Sequence, residues 1–179
     1  MGDPFAQEKV YEALAYFSRN VKYAGKLKLF KLLYYLDLLV FRRTGNTVTG
    51  LRYEAWPFGP VPASLDQEFG NPESELHRRF SVERHQRIES EFEVTIDTDP
   101  EKLEAYQHTV RHIPGSIRPR APYRHRFLTR REQLVAEYLA EVFREAKADE
   151  MTDISHNKFG PWKKAISRGN KVGSQSASN

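Results

Sequence analysis

The segment from Lys26 to Arg43 constrains this chain more than any other. Leu27, Leu29, Phe30, Leu32, Leu33, Tyr34, Leu36, Leu38, Leu39, Val40 and Phe41 leave it little polar surface. A helix that is apolar nearly all round is buried on most sides. The segment therefore predicts a central helix around which the other elements pack. It is not a membrane span. The apolar run 27–41 is too short for a hydrocarbon layer of about 30 Å, and it carries Lys28, Lys31 and Asp37. Arg42 and Arg43 suit the negative end of the helix dipole, and Gly45-Asn46 supplies the stop.

The flanking sequence predicts the packing partners. Asp3 as N-cap with Pro4 at the first helical position starts a helix whose stripe is Val10, Leu14 and Phe17. Asn20 ends it, and Gly25 separates it from the central helix. Leu51 to Trp56 alternates as a strand, with Leu51, Tyr53 and Ala55 on one face. Three prolines between Pro57 and Pro62 predict a stiff turn that is neither helix nor ladder. A short helix runs from Pro62 to about Phe69, and Gly70-Asn71-Pro72 breaks it. Phe80 and Val82 suggest a strand. Phe92, Val94 and Ile96 alternate with Glu91, Glu93 and Thr95 as a second one. Leu103 to Ile113 is ambiguous, and Ile113 to Pro122 is expected to be a loop. Thr129 and Glu132 form a capping-box pattern ahead of a helix with one stripe, Leu134, Val135, Tyr138, Leu139, Val142 and Phe143. A helical turn is expected at Asp153 to His156 and another near Lys163 to Ser167. The fold class is thus α+β and helix-dominated, with a small antiparallel sheet. Residues 1–168 form one domain, and the Gly/Ser/Asn-rich stretch 169–179 is expected to be a disordered tail.

At 179 residues the chain is long enough to bury a core without staples. It has no cysteine, which excludes disulfides, thiolate metal sites and a cysteine nucleophile. No signal peptide is expected ahead of the first helix, and a cytoplasmic location is expected. The net charge is only +4, but its distribution is uneven. Residues 83–104 hold eight acids, Glu91 and Glu93 among them, against three basic residues. Residues 111–131 hold seven arginines, Arg111, Arg118, Arg120, Arg124 and Arg126 among them, and no acid. Such segregation steers a charged partner. The plain alternative is that the two segments neutralise each other.

Chemistry-bearing motifs are sparse. No glycine loop cradles phosphate and no nucleophile elbow is present. His108 and His112 have the i, i+4 spacing of a metal pair, but surface histidines explain them better, and no metal or cofactor is expected. Asp153, Ser155 and His156 lie too close together for a catalytic triad. The arginine-rich stretch carries Tyr123 and Phe127, and such interleaving can grip a nucleic-acid backbone. No recognised nucleic-acid module accompanies it.

Three segments in order resemble the Panacea domain, the SocA-like family of bacterial and phage antitoxins. They are Lys31-Leu-Leu-Tyr-Tyr-Leu-Asp37, Tyr53-Glu-Ala-Trp-Pro-Phe-Gly-Pro-Val61 and Ile154-Ser-His-Asn-Lys-Phe-Gly-Pro-Trp162. The resemblance singles out Lys31, Tyr34, Asp37, Trp56, Phe58, Gly59, Pro60, His156 and Trp162 as motif positions, structural or partner-binding. Ser155 stands where the family usually has threonine, so the hydroxyl is kept. Residues 71–123 are longer and more charged than the family leads one to expect, and they read as a variable insert. The resemblance implies a non-enzymatic antitoxin that binds a cognate protein toxin encoded beside it. On that reading Arg111, Arg118, Arg120, Arg124, Arg126, Glu91 and Glu93 are the candidate partner-binding residues. The rival reading is a nucleic-acid-binding accessory protein that uses the arginine-rich segment.

Overall fold

The computed structural model describes residues 3–57, 59–83, 86–92, 107–113, 115–122, 124–148 and 150–151, the two stretches 86–92 and 107–113 through their backbone pairing. The central helix, α2, spans Lys26–Thr44, with Gly25 as its N-cap and Gly45 closing it in the left-handed conformation at φ +75°. Leu29, Leu32, Leu33 and Leu36 are wholly buried. Leu27 and Phe41, by contrast, are exposed, and the charged Lys28, Lys31 and Asp37 are buried in their stead.

Each of these three charges is buried because hydrogen-bonding partners surround it. Asp37 accepts the amides of Val48 (2.7 Å) and Thr49 (2.8 Å), the Thr49 hydroxyl, and the Tyr53 hydroxyl at 2.9 Å. It thereby ties the turn after α2, and the strand that follows, back onto the helix. Burial and then the Asp37 charge hold the Tyr53 phenol well above its ordinary pKa, so it remains a donor. Lys28 donates to the carbonyls of Lys22 and Ala146, both at 2.6 Å, and of Arg144 at 3.3 Å. Lys31 donates to the Ala148 carbonyl, and the Tyr35 hydroxyl meets the Met151 carbonyl at 3.4 Å. Stepping along α2, these side chains fasten the segment 144–151 to it.

The preceding helix, α1 (Ala6–Asn20), buries Val10, Leu14 and Phe17 as its stripe predicts. It starts two residues later than Pro4 would allow. The Asp3 carboxylate caps the amide of Phe5 (2.9 Å), so it closes a turn ahead of the helix rather than the helix itself. The last helix, α5 (Arg130–Val142), carries the expected capping box: the Glu132 amide donates to the Thr129 hydroxyl, and the Thr129 amide to the Glu132 carboxylate. Its predicted stripe is divided. Leu139 and Phe143 face the core with Ala136 and Ala140, while Leu134, Tyr138 and Val142 lie on the opposite, exposed side. Small alanines let α5 approach α2 closely, and Phe143 stacks on Tyr35 with the rings 5.5 Å apart.

Strand β1 (Tyr53–Trp56) pairs antiparallel with β2 (Gly59–Pro62), from Tyr53↔Pro62 to Trp56↔Gly59. The expectation that the proline-rich segment cannot join a ladder is therefore wrong. Pro60 and Pro62 are two apart, so their imide nitrogens share one side, and a two-stranded ribbon can turn that side from its partner. All of β2 is buried on α2, where a proline leaves no N–H unsatisfied. Helix α3 (Ala63–Gly70) follows, and then α4 (Glu75–Arg79), which the sequence reading missed. Ser74 caps α4, but five residues are too few to show a periodicity.

The described strands between Phe80 and Pro119 make an antiparallel arm of two ladders. Its base pairs β3 (Phe80–Val82) with β6 (Ile117–Pro119), and beyond it β4 (Gln86–Phe92) pairs with β5 (Gln107–Ile113). The register Phe80↔Pro119, Val82↔Ile117, Gln86↔Ile113, Phe92↔Gln107 never slips. The Glu83 amide bonds to the Ser116 carbonyl (2.8 Å), bridging the gap between the two ladders in that register. Two expectations change. The ambiguous Leu103 to Ile113 contains a strand, and the proposed Ile113 to Pro122 loop contains β6. The expected strand around Phe92 begins earlier, at Gln86. Val94, Ile96 and the short helical turns expected beyond Asp153 lie outside the described residues.

Candidate functional site

Where the base of the arm meets α1, a groove of about 640 Å³ opens between α1, the α4–β3 junction and the loop leading into α5. Helix α1 contributes Glu8, Tyr11 and Glu12, the junction contributes Arg78, Arg79 and Phe80, and the loop contributes Arg120, Arg124, Arg126 and Phe127. Five arginines thus face two carboxylates.

The arginines are not equivalent. Arg79 is spent inside the protein. It grips Glu8 through two nitrogens (2.7 and 2.9 Å), meets Glu75 at 2.7 Å, and lies 4.6 Å above the Tyr11 ring. The bonds to Glu8 and Glu75 raise its pKa further, against the cost of burial. Arg120 is also engaged: its Nε donates to the carbonyls of His77 (3.1 Å) and Phe80 (3.2 Å). Arg124 and Arg126 are exposed, and their guanidinium groups make no hydrogen bond or ion pair among the described residues.

The loop that carries this pair is nevertheless fixed. The buried Glu12 carboxylate accepts the amides of Arg126 (3.1 Å), Phe127 (2.7 Å) and Leu128 (3.2 Å). His125 Nδ1 lies 3.5 Å from the same carboxylate. One residue further on, the Thr129–Glu132 box holds the start of α5, and Lys9 bonds to Glu132 at 2.8 Å. Burial lowers the Lys9 pKa, but the bonds to Glu132 and Asp3 outweigh it and raise it overall. Tyr11 closes the floor, donating to Glu68 at 2.7 Å, with its pKa pushed up by burial and then by that carboxylate.

The structure separates the residues that sequence reasoning grouped together. Arg120, Arg124 and Arg126 come to the groove. Arg118 pairs with Ser81 on the arm and lines a second cleft of about 700 Å³ with Arg19 and Lys22. Arg111 lies further out on β5 opposite Ile88, and Glu91 stands opposite His108. The acidic and basic segments are thus partly the two strands of one arm. Glu93 lies outside the described residues. His108 and His112 stand in register opposite Glu91 and Arg87. Among the described residues no group of three metal-binding side chains gathers.

Of the described motif positions, all but Trp56 are packed into the scaffold. Lys31 and Asp37 anchor neighbouring segments, and Tyr34 packs edge-on against Tyr53 with the rings 5.3 Å apart. Gly59, at φ +118°, and Pro60 are buried in β2. Trp56 is exposed and donates to Glu54 at 2.9 Å. Phe58, His156 and Trp162 lie outside the described residues. Sequence reasoning missed Glu8, Glu12, Arg78 and Arg79. The i, i+4 acids of α1 were the one available signal, and a spacing alone does not say what they hold.

An α+β scaffold with a pinned cationic groove and a two-stranded arm has the build of a small interaction domain. The family model for the SocA-like antitoxin, Panacea domain, matches residues 29–163, most of the chain, and the chain belongs to that family. Neither the curated proteins nor the solved structures offered a match. Among the described residues no helix is long and apolar enough to cross a membrane.

Proposed function

We propose that this chain is an antitoxin that neutralises a protein toxin by direct contact, acting in the cytoplasm and without catalysis. Membership of the SocA-like antitoxin family carries the reading. The build of the molecule supports it. The motif residues Lys31 and Asp37 hold the scaffold together, leaving the groove and the arm as surfaces free to vary with the partner. The arm lies within the charged insert 71–123, which we take as the region that sets partner choice. The toxin is expected to be encoded beside this chain. Expressing that neighbouring protein alone should arrest growth, and co-expression with this chain should restore it, with a stoichiometric complex on size-exclusion chromatography. A neighbour that is harmless alone, or one that neither binds nor is neutralised, would sink the reading.

The exposed pair Arg124 and Arg126 favours a second reading, nucleic-acid binding through the arginine-rich segment. It predicts affinity for an oligonucleotide that falls steeply with salt. Arg79 and Arg120 are already committed inside the fold, which shortens the cationic track available to a phosphate backbone.

A further inference from the structure

We infer that the groove between α1, the α4–β3 junction and the 119–127 loop receives an acidic segment of the protein partner that also carries apolar side chains, with Arg124 and Arg126 pairing its carboxylates. The inference deepens the antitoxin reading and rests on it for the partner being a toxin.

Four observations converge. The guanidiniums of Arg124 and Arg126 are exposed and have no bond or ion pair among the described residues, so their donors can form two-pronged bonds to carboxylates. The backbone at Arg126, two residues after Arg124, is fixed by the Glu12 carboxylate, which accepts three consecutive amides, so little backbone ordering cost is left there for binding. The surface between the charges is apolar, made by Pro119, Ala121, Pro122 and Phe127 over the buried Phe80. Side chains on one side of an extended peptide recur at roughly 7 Å, which lets carboxylates and apolar groups face such a surface in turn. Finally, the half-exposed Glu8, already paired with Arg79, lines the same groove. A nucleic-acid strand bears a charge at every nucleotide and would meet it. A peptide can place its acids only where Arg124 and Arg126 stand.

The test is fluorescence anisotropy on the full chain with three probes. The first is a fluorescein-labelled hexapeptide alternating glutamate with leucine. The second carries glutamine in place of each glutamate, and the third is a labelled dodecamer of thymidylate. The variants are R124E/R126E and the charge-neutral R124Q/R126Q, each checked for fold by circular dichroism. The acidic peptide should bind the native chain, while the glutamine peptide and the oligonucleotide bind at least about tenfold more weakly. R124Q/R126Q should lose about tenfold and R124E/R126E more. Three results would overturn the inference: no binding of the acidic peptide, equal binding by folded variants, or tighter binding of the oligonucleotide. Co-expression with the neighbouring toxin separates the two levels. If the native chain and R124E/R126E protect cells equally, the groove is not the toxin's site and the antitoxin reading stands. If the native chain itself gives no protection, the antitoxin reading fails whatever the peptide does.

Discussion

Asp37 and Glu12 are both buried carboxylates, Glu12 held by three backbone amides and Asp37 by two amides and two hydroxyls. Such an acid behaves as a clamp, since removing it leaves several N–H groups buried and unpaired. Asp37→Ala should therefore destabilise the chain by about 2–4 kcal/mol, and Asp37→Asn by about half that, because one acceptor oxygen survives. Urea denaturation measures both, and a loss under about 0.5 kcal/mol for the alanine variant would mean that the turn at Val48–Thr49 holds without the clamp. Lys28 makes a different prediction. Burial pushes its pKa down to about 8, below the ordinary lysine value near 10.4. Between those two pH values the unfolded chain binds more protons than the folded one, so the contribution of Lys28 to stability rises with pH. The neutral amine still has two N–H donors for its two 2.6 Å carbonyl bonds. The urea midpoint of Lys28→Met should accordingly rise less, or fall more, than that of the native chain from pH 7.5 to 10. Parallel curves would contradict the shift. None of these roles was legible from the residues nearby. Lysine 28 and its acceptor at Ala146 are separated by more than a hundred positions, and local pattern carries no trace of that meeting.

At the scale of elements, sequence succeeded where one local force dominates. The length and apolarity of α2, its glycine stops and the Thr129–Glu132 box all appear as expected. It failed where two forces compete. Prolines argued against a strand at Gly59–Pro62, yet a two-stranded ribbon buried on one side accepts them. In α5 periodicity put six apolar residues on one stripe, but the small residues Ala136 and Ala140 allow the closer approach to the core and leave Leu134, Tyr138 and Val142 outside. That choice is testable. Leu134→Ser should change stability by less than about 0.5 kcal/mol, whereas Leu139→Ala should cost about 2–4 kcal/mol. A cost above about 1.5 kcal/mol for Leu134→Ser, measured by thermal and urea denaturation, would show that the outer face of α5 is covered in solution. The groove was only half legible for a related reason. Its arginines stand out in composition, but the split between spent and available charge depends on Glu8, Glu12 and Glu75, which arrive from other elements.

On the scale of the molecule, the unbroken register of the arm separates two kinds of charge. Residues 84–115 carry seven acids and four basic side chains, so the net +4 of the chain conceals a more positive body. Because Glu83 and Ser116 already face each other in register, a two-residue Asn-Gly turn can replace 84–115 without disturbing the pairs from Phe80↔Pro119 to Val82↔Ile117. The deletion removes the β4–β5 ladder but leaves the base of the arm and the core residues in place, so the shortened chain should still fold. Its net charge would be +7 before the turn is counted, and Asn-Gly adds none. The groove would then sit in a stronger positive field, and the acidic peptide should bind it more tightly in low salt. Since the removed charges act from a distance, that gain should vanish near 1 M salt, where the screening length is about 3 Å. Anisotropy titrations at the two salt concentrations decide it. A gain that persists in high salt would mean that the arm blocks the groove by contact, and weaker binding would mean that the arm itself holds the ligand.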